Sequence, residues 1–137
     1  IEMRGADGGP WRRICALPAL WVGLVYDDAA LDAAWDLVKD WTAEDREALR
    51  NDAAEHGLRA RIRGRSLHSL AAEVVQIAQA GLARRAESFV FDMDETHFLN
   101  ALHDVLERGE TLADEIQRRW ETEWGRDFAP LYREYSY

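Results

Sequence analysis

The chain has 137 residues, a single cysteine, and 26 acidic against 17 basic side chains, for a net charge of −9. That length fits one domain able to bury roughly two-thirds of its unfolded surface. The acidic balance argues against a nucleic-acid partner, because phosphate contacts need a basic face.

The first segment, Ile1-Glu2-Met3-Arg4, reads as the end of a β-strand whose sheet partners lie upstream. Side chains alternate along a strand, so Glu2 and Arg4 share a face with their roots about 7 Å apart. A carboxylate and a guanidinium at that spacing can hold a metal ion and a phosphate side by side. Magnesium takes hard oxygen ligands shared with phosphates, and arginine offers phosphoryl oxygens a planar fork. Gly5, Gly8 and Gly9 permit a turn close to a ligand, and Pro10 stiffens its exit. On these residues alone a surface ion pair is the commoner arrangement. Trp11 follows the turn and can line a pocket or simply pack.

Beyond the front segment the chain reads as helices. Pro18 suits a first-turn position, and Ala19 to Tyr26 is apolar nearly all round, as a buried helix is. The whole apolar run, Ile14 to Tyr26, is shorter than the ~20 residues of a membrane span, so no membrane partner is expected. Asp27 or Asp28 can cap a second helix with Leu31, Trp35 and Val38 on one stripe. Thr42-Ala43-Glu44-Asp45 approximates a capping box for a third helix, which Gly57 ends. Residues 57–66 form a loop whose Arg59, Arg61, Arg63 and Arg65 read as a solvated face balancing nearby acids. Ser66 opens a long helix carrying Leu70, Val74 and Ile77 and closing between Gly81 and Ala86. Another runs from Asp94 to a stop at Gly109. Thr111 with Asp114 starts the last, carrying Leu112, Ile116 and Trp120. The fold class is mainly α, with one strand end at the N-terminus.

Other constellations are weaker. His56, His68, His97 and His103 are scattered without the i, i+4 spacing of a helical zinc site, and fit surface or capping roles. Asp92, Asp94 and Glu95 lack the glycine and distant glutamate of a calcium loop and read as the acidic start of a helix. Trp35 and Trp120 fall on apolar stripes, where core packing is the default. Cys15 is the only cysteine, so no internal disulfide forms and a buried inert thiol is expected. With no secretory pattern, a reducing cytoplasmic location is the simplest expectation.

The stretch Glu2 to Arg13, EMRGADGGPWRR, followed by CALPALWVGLVYD, resembles the glutamate–cysteine ligases of the proteobacterial and plant type. Glu95-Thr96-His97-Phe98-Leu99, Gly109 to Asp114, Glu123-Trp124-Gly125 and Pro130 to Tyr137 resemble that family's closing segments in order and spacing. His97 departs from the pattern, standing where relatives commonly carry glycine.

The resemblance implies that residues 1–137 are the C-terminal portion of one larger catalytic domain, 1–13 being an active-site strand end with its Gly-rich loop and 14–137 a helical region. The fold implied is the helical part of an α+β ligase like glutamine synthetase, inactive without the missing N-terminal part. The activity implied is ATP-dependent joining of the glutamate γ-carboxyl to cysteine through an acyl phosphate, the first step of glutathione synthesis. ATP and Mg2+ are its cofactors. Glu2 is then a magnesium ligand, and Arg4 stabilises the transferring phosphoryl group. Arg12 and Arg13, with Trp11, belong to a substrate pocket. Two alternatives accompany this reading: another carboxylate–amine ligase of the superfamily, or a non-catalytic helical interaction module.

Overall fold

The computed structural model describes residues 9–85 and 94–135. Across them the protein is mainly α. In chain order come α1 (Trp11–Val25), α2 (Asp28–Val38), α3 (Ala43–His56) and a 3-10 turn (Gly57–Arg59). A minimal hairpin of β1 (Arg61–Ile62) and β2 (Arg65–Ser66) leads into α4 (Leu67–Arg85). A second 3-10 turn (Glu95–Leu99), α5 (Asn100–Arg108), α6 (Leu112–Thr122) and α7 (Ala129–Glu134) complete the order. The strand end expected at Ile1–Arg4 lies outside the described residues, as does Asp92.

Helix α1 is the central element. It begins at Trp11, with Pro10 as its N-cap residue, so Pro18 sits in its interior and not in the expected first turn. An interior proline removes one backbone donor and disfavours a helix by roughly 3 kcal/mol. Here Pro18 faces solvent, where its ring disturbs no packing. On the opposite side Ala16, Ala19, Gly23 and Leu24 are buried. That burial keeps the chain helical through the proline.

The core forms where α1 crosses α4. Ala19, Leu24, Ala78, Leu82 and Leu99 are buried together, flanked by half-buried Trp21, Val25, Ile77, Phe98 and Leu102. The crossing is close because glycine stands on both sides. A Cβ on Gly81 would lie 2.0 Å from the Gly23 carbonyl oxygen, and one on Gly23 would lie 2.3 Å from that of Ala78. Gly81 is therefore a contact point within α4, and the helix closes at Arg85, inside the expected span of Gly81 to Ala86.

The chain bends by 95° between α1 and α2. Asp27 caps α2 as expected, its side chain accepting from the Ala30 amide at 2.8 Å. The expected apolar stripe does not face the core, however: Leu31 is 45% and Trp35 62% exposed, whereas Ala30 is 1% exposed. The reason is the crossing. A Cβ on Gly81 would already be 3.0 Å from that of Ala30, so only the small-residue side of α2 fits there.

The remaining helices follow their local signals. Thr42 with Asp45 and Thr111 with Asp114 form complete capping boxes for α3 and α6. Gly57 (φ 55°) and Gly109 (φ 63°) end α3 and α5, in the left-handed half of φ that glycine adopts without strain. Asp94 caps the 3-10 turn ahead of α5 by accepting from the Thr96 amide at 2.9 Å. Three of the four arginines of 57–66 do meet acids: Arg63 pairs with Asp45 at 2.7 Å, Arg65 with Glu73 at 2.6 Å, and Arg59 with Asp114 at 3.6 Å, while Arg61 donates to the Gly64 carbonyl. Helix α7 has no counterpart in the sequence reading. Trp120 is half-buried and stacks on Phe128 at 5.6 Å, outside the main core. Among the described residues no single helix is long and apolar enough to cross a membrane.

Candidate functional site

The first turn of α1 carries Trp11, Arg12 and Arg13, and successive helical residues point about 100° apart. Each therefore meets different surroundings. Trp11 is 71% exposed and lines neither described cavity. Arg12 reaches α5, its Nη1 lying 2.9 Å from Asp104 Oδ2. Arg13 turns inward toward α6, its Nη2 lying 4.0 Å from Glu115 Oε2.

Beside this turn lies a cavity of about 220 Å³ lined by Arg12, Arg13, Arg108 and Arg119 together with Glu115, Glu134 and Tyr135. The four arginines come from three helices, and Tyr135 directly follows α7. In a chain of net charge −9 the cavity wall carries more cations than anions, so its local field opposes that of the whole molecule.

Arg119 is the hub of this wall. Its Nη2 lies 2.6 Å from Glu134 Oε2, its Nε donates to Glu123 Oε2 at 2.9 Å, and its Nη1 donates to the Tyr135 hydroxyl at 3.1 Å. Tyr135, Glu123 and Glu134 together raise its pKa above the usual arginine value. The guanidinium also sits 4.7 Å from the Trp124 ring centre, a cation–π contact. The Tyr135 hydroxyl donates in turn to Glu115 Oε1 at 2.6 Å. Burial, and next the Glu115 carboxylate, push the phenol pKa up, so it stays a donor. Arg108 Nη1 stands 3.7 Å from Glu115 Oε2.

Planar guanidinium forks around a cavity suit carboxylate or phosphate oxygens. Among the described residues no group of three or more His, Cys, Asp or Glu could hold a metal ion. The histidines serve as structural contacts: His68 donates to the Leu106 carbonyl at 2.7 Å, and His56 lies 2.7 Å from Asp52. A second cavity of about 220 Å³ is lined by Cys15, Pro18, Ala19, Val22, Glu95 and Phe98. Cys15 is half-buried there, less enclosed than expected.

Glu2 and Arg4 lie outside the described residues. The profile of Glutamate-cysteine ligase family 2 (GCS2) matches residues 1–134, which includes both positions and the cavity up to Glu134. The chain belongs to glutamate-cysteine ligase family 2.

Similar proteins carry the same family's name. The chain is 44% identical to "Glutamate--cysteine ligase, chloroplastic" of Nicotiana tabacum and 45% identical to that of Arabidopsis thaliana, each over all 137 residues and 25% of the relative's length. It is 42% identical to "Glutamate--cysteine ligase A, chloroplastic" of Oryza sativa subsp. indica, over 137 residues and 27% of that protein. The chain thus spans about a quarter of the length of these glutamate–cysteine ligases.

The relatives' names overturn the expectation of a cytoplasmic location, since all three are called chloroplastic. Cysteine usage separates reducing from oxidising surroundings and does not separate one reducing compartment from another. The structure also adds residues that the sequence reading of this glutamate-cysteine ligase family chain did not single out: Arg108, Glu115, Arg119 and Tyr135. Tyr135 and Glu134 lie in the closing segment that carries the resemblance, which was the one available signal. Arg108 and Glu115 had none.

Proposed function

We propose that the protein containing this chain joins the γ-carboxyl of glutamate to the amine of cysteine, using ATP with Mg2+. The observation that carries this reading is the match of one ligase family to residues 1–134, front motif included. A plastid location follows from the relatives' names. Residues 1–137 form the C-terminal portion of the catalytic domain, with 1–13 as its active-site edge and the helices behind it.

The reaction sets an electrostatic task. The γ-phosphoryl group passes from ATP to the glutamate γ-carboxylate, releasing ADP. The cysteine amine then attacks the acyl carbon, phosphate departs with the bonding pair, and the amine gives up a proton. Negative charge gathers on oxygens throughout, and fixed cations must meet it in place. Glu2 would hold magnesium, whose positive charge would offset the charge on phosphoryl oxygens. Arg4 stabilises the group in transfer. Arg12 and Arg13, at the start of α1, offer a substrate carboxylate its counter-charge, with Trp11 beside them.

The test is steady-state kinetics of the full-length enzyme, following γ-glutamylcysteine and ADP together across a panel of amine acceptors. Arg4→Ala should lower turnover roughly 10²–10³-fold, as loss of one charge-stabilising donor does. Unchanged turnover removes Arg4 from the mechanism. Preference for another acceptor over cysteine would assign the chain to a different carboxylate–amine ligase.

A further inference from the structure

We propose that Arg108 is a substrate-contacting residue, forming with Arg13 the seat for the carboxylate of an amino-acid substrate, a seat that Glu115 fills loosely in this structure. The inference rests on the ligase reading above and narrows it to two side chains on different helices.

The four arginines of the cavity differ in what they have left to give. Arg12 is drawn toward α5 by Asp104, at 2.9 Å, and adds charge beside the seat without closing on it. Arg119 is committed to Glu123, Glu134 and Tyr135 at 2.6–3.1 Å. Arg13 and Arg108 are not so held. Their contacts with Glu115 Oε2, at 4.0 and 3.7 Å, are ion pairs too long for hydrogen bonds. Each guanidinium has five N–H donors.

Glu115 shows what fits between them. Its Oε1 is held firmly by the Tyr135 hydroxyl at 2.6 Å, so the carboxylate is anchored on one side and cannot close on both arginines. Two forks from α1 and α5 converge on its other oxygen across a cavity of about 220 Å³. A free carboxylate, not tethered to α6, can move the remaining distance and take charge-assisted bonds from both. Arg13 is the better shielded, 21% exposed against 56% for Arg108. Arg13 thus marks the inner end of the seat and Arg108 its mouth.

The experiment is steady-state kinetics of the full-length enzyme carrying Arg108→Gln, Arg108→Lys or Arg13→Gln, with glutamate, cysteine and ATP varied in turn and thermal melts confirming folding. Arg108→Gln should raise KM for one amino-acid substrate roughly 10–100-fold, with kcat changed only a few-fold, as loss of a hydrogen bond to a charged group does. Arg108→Lys, keeping the charge without the fork, should fall between. The KM for ATP should not move. If Arg13→Gln raises an amino-acid KM and Arg108→Gln does not, the seat is wrong while the substrate pocket stands. If only the KM for ATP rises, the cavity holds phosphate and the proposal fails. A wild-type enzyme that makes no γ-glutamyl product overturns the ligase reading itself. In that event calorimetric titration of glutamate and of cysteine into wild type and Arg108→Gln decides the seat separately: weaker binding of either by the variant supports it, and equal or absent binding of both rejects it.

Discussion

Asp27 performs two tasks with one carboxylate. It caps α2 through the Ala30 amide, and it takes a paired contact from Arg84, whose Nη2 and Nε donate at 2.7 and 2.9 Å. The Arg84 bonds first, then the Ala30 amide, lower its pKa to about 2. A carboxyl lowered on folding adds stability that is present above its unfolded value, near 4, and lost as pH falls toward 2. Acid unfolding should therefore steepen between pH ~4 and ~2. Asp27→Asn keeps a good cap but cannot titrate, so its stability should fall less across that window. Equal slopes for the two proteins would assign the acid sensitivity to other carboxylates, Asp45 and Asp114 among them, which are also lowered by their capping bonds.

At the scale of elements, the α1–α4 crossing has the least tolerance. Two glycines let the backbones touch, and a methyl group on Gly81 would fall 2.0 Å from a carbonyl oxygen that cannot rotate away. Gly81→Ala should therefore destabilise the protein by about 1–3 kcal/mol or more, as overpacking does, even though alanine is the better helix former. Chemical denaturation of the protein measures this, and a midpoint at or above wild type would show that the helices part freely. Gly81 also shows where sequence reading stops. The close of α4 by Arg85 was legible, but that Gly81 is a contact point depends on the facing Gly23. The stripe through Trp35 failed for a similar reason: its spacing with Leu31 is apolar, yet the place beside α4 admits only Ala30. By contrast Thr42 with Asp45, Thr111 with Asp114, and Gly109 were all legible. Each closes a hydrogen bond or sets a φ angle within four residues of itself.

For the molecule as a whole, attachment differs from one end to the other. Helices α1 and α4 meet through buried apolar side chains, whereas α6 and α7 contain no buried residue. Much of what holds α6 is charge: Glu115 to Arg13 and Arg108, and Asp114 to Arg59. Raising salt from ~0.1 to ~1 M shortens the screening length from about 10 to 3 Å. Amide exchange across residues 112–134 should then quicken several-fold relative to α1 and α4. A uniform response along the chain would show that apolar contacts, Trp120 on Phe128 included, carry the attachment instead.

The candidate site divides along the same line. Arg12 and Arg13 could be picked out because they adjoin a glycine-rich turn and a familiar motif. Arg108, Glu115 and Arg119 could not, since nothing in their own helices sets them apart, and Tyr135 had only its place in the closing motif. The amino-acid sequence by itself determined the helical class, the caps, the turns and the family, because capping and turn geometry act between near neighbours and a motif is local. Tertiary structure alone decided which face of each helix is covered and which charges share a cavity. Those outcomes depend on the shape of a partner element far away in the chain, and no local pattern encodes that shape.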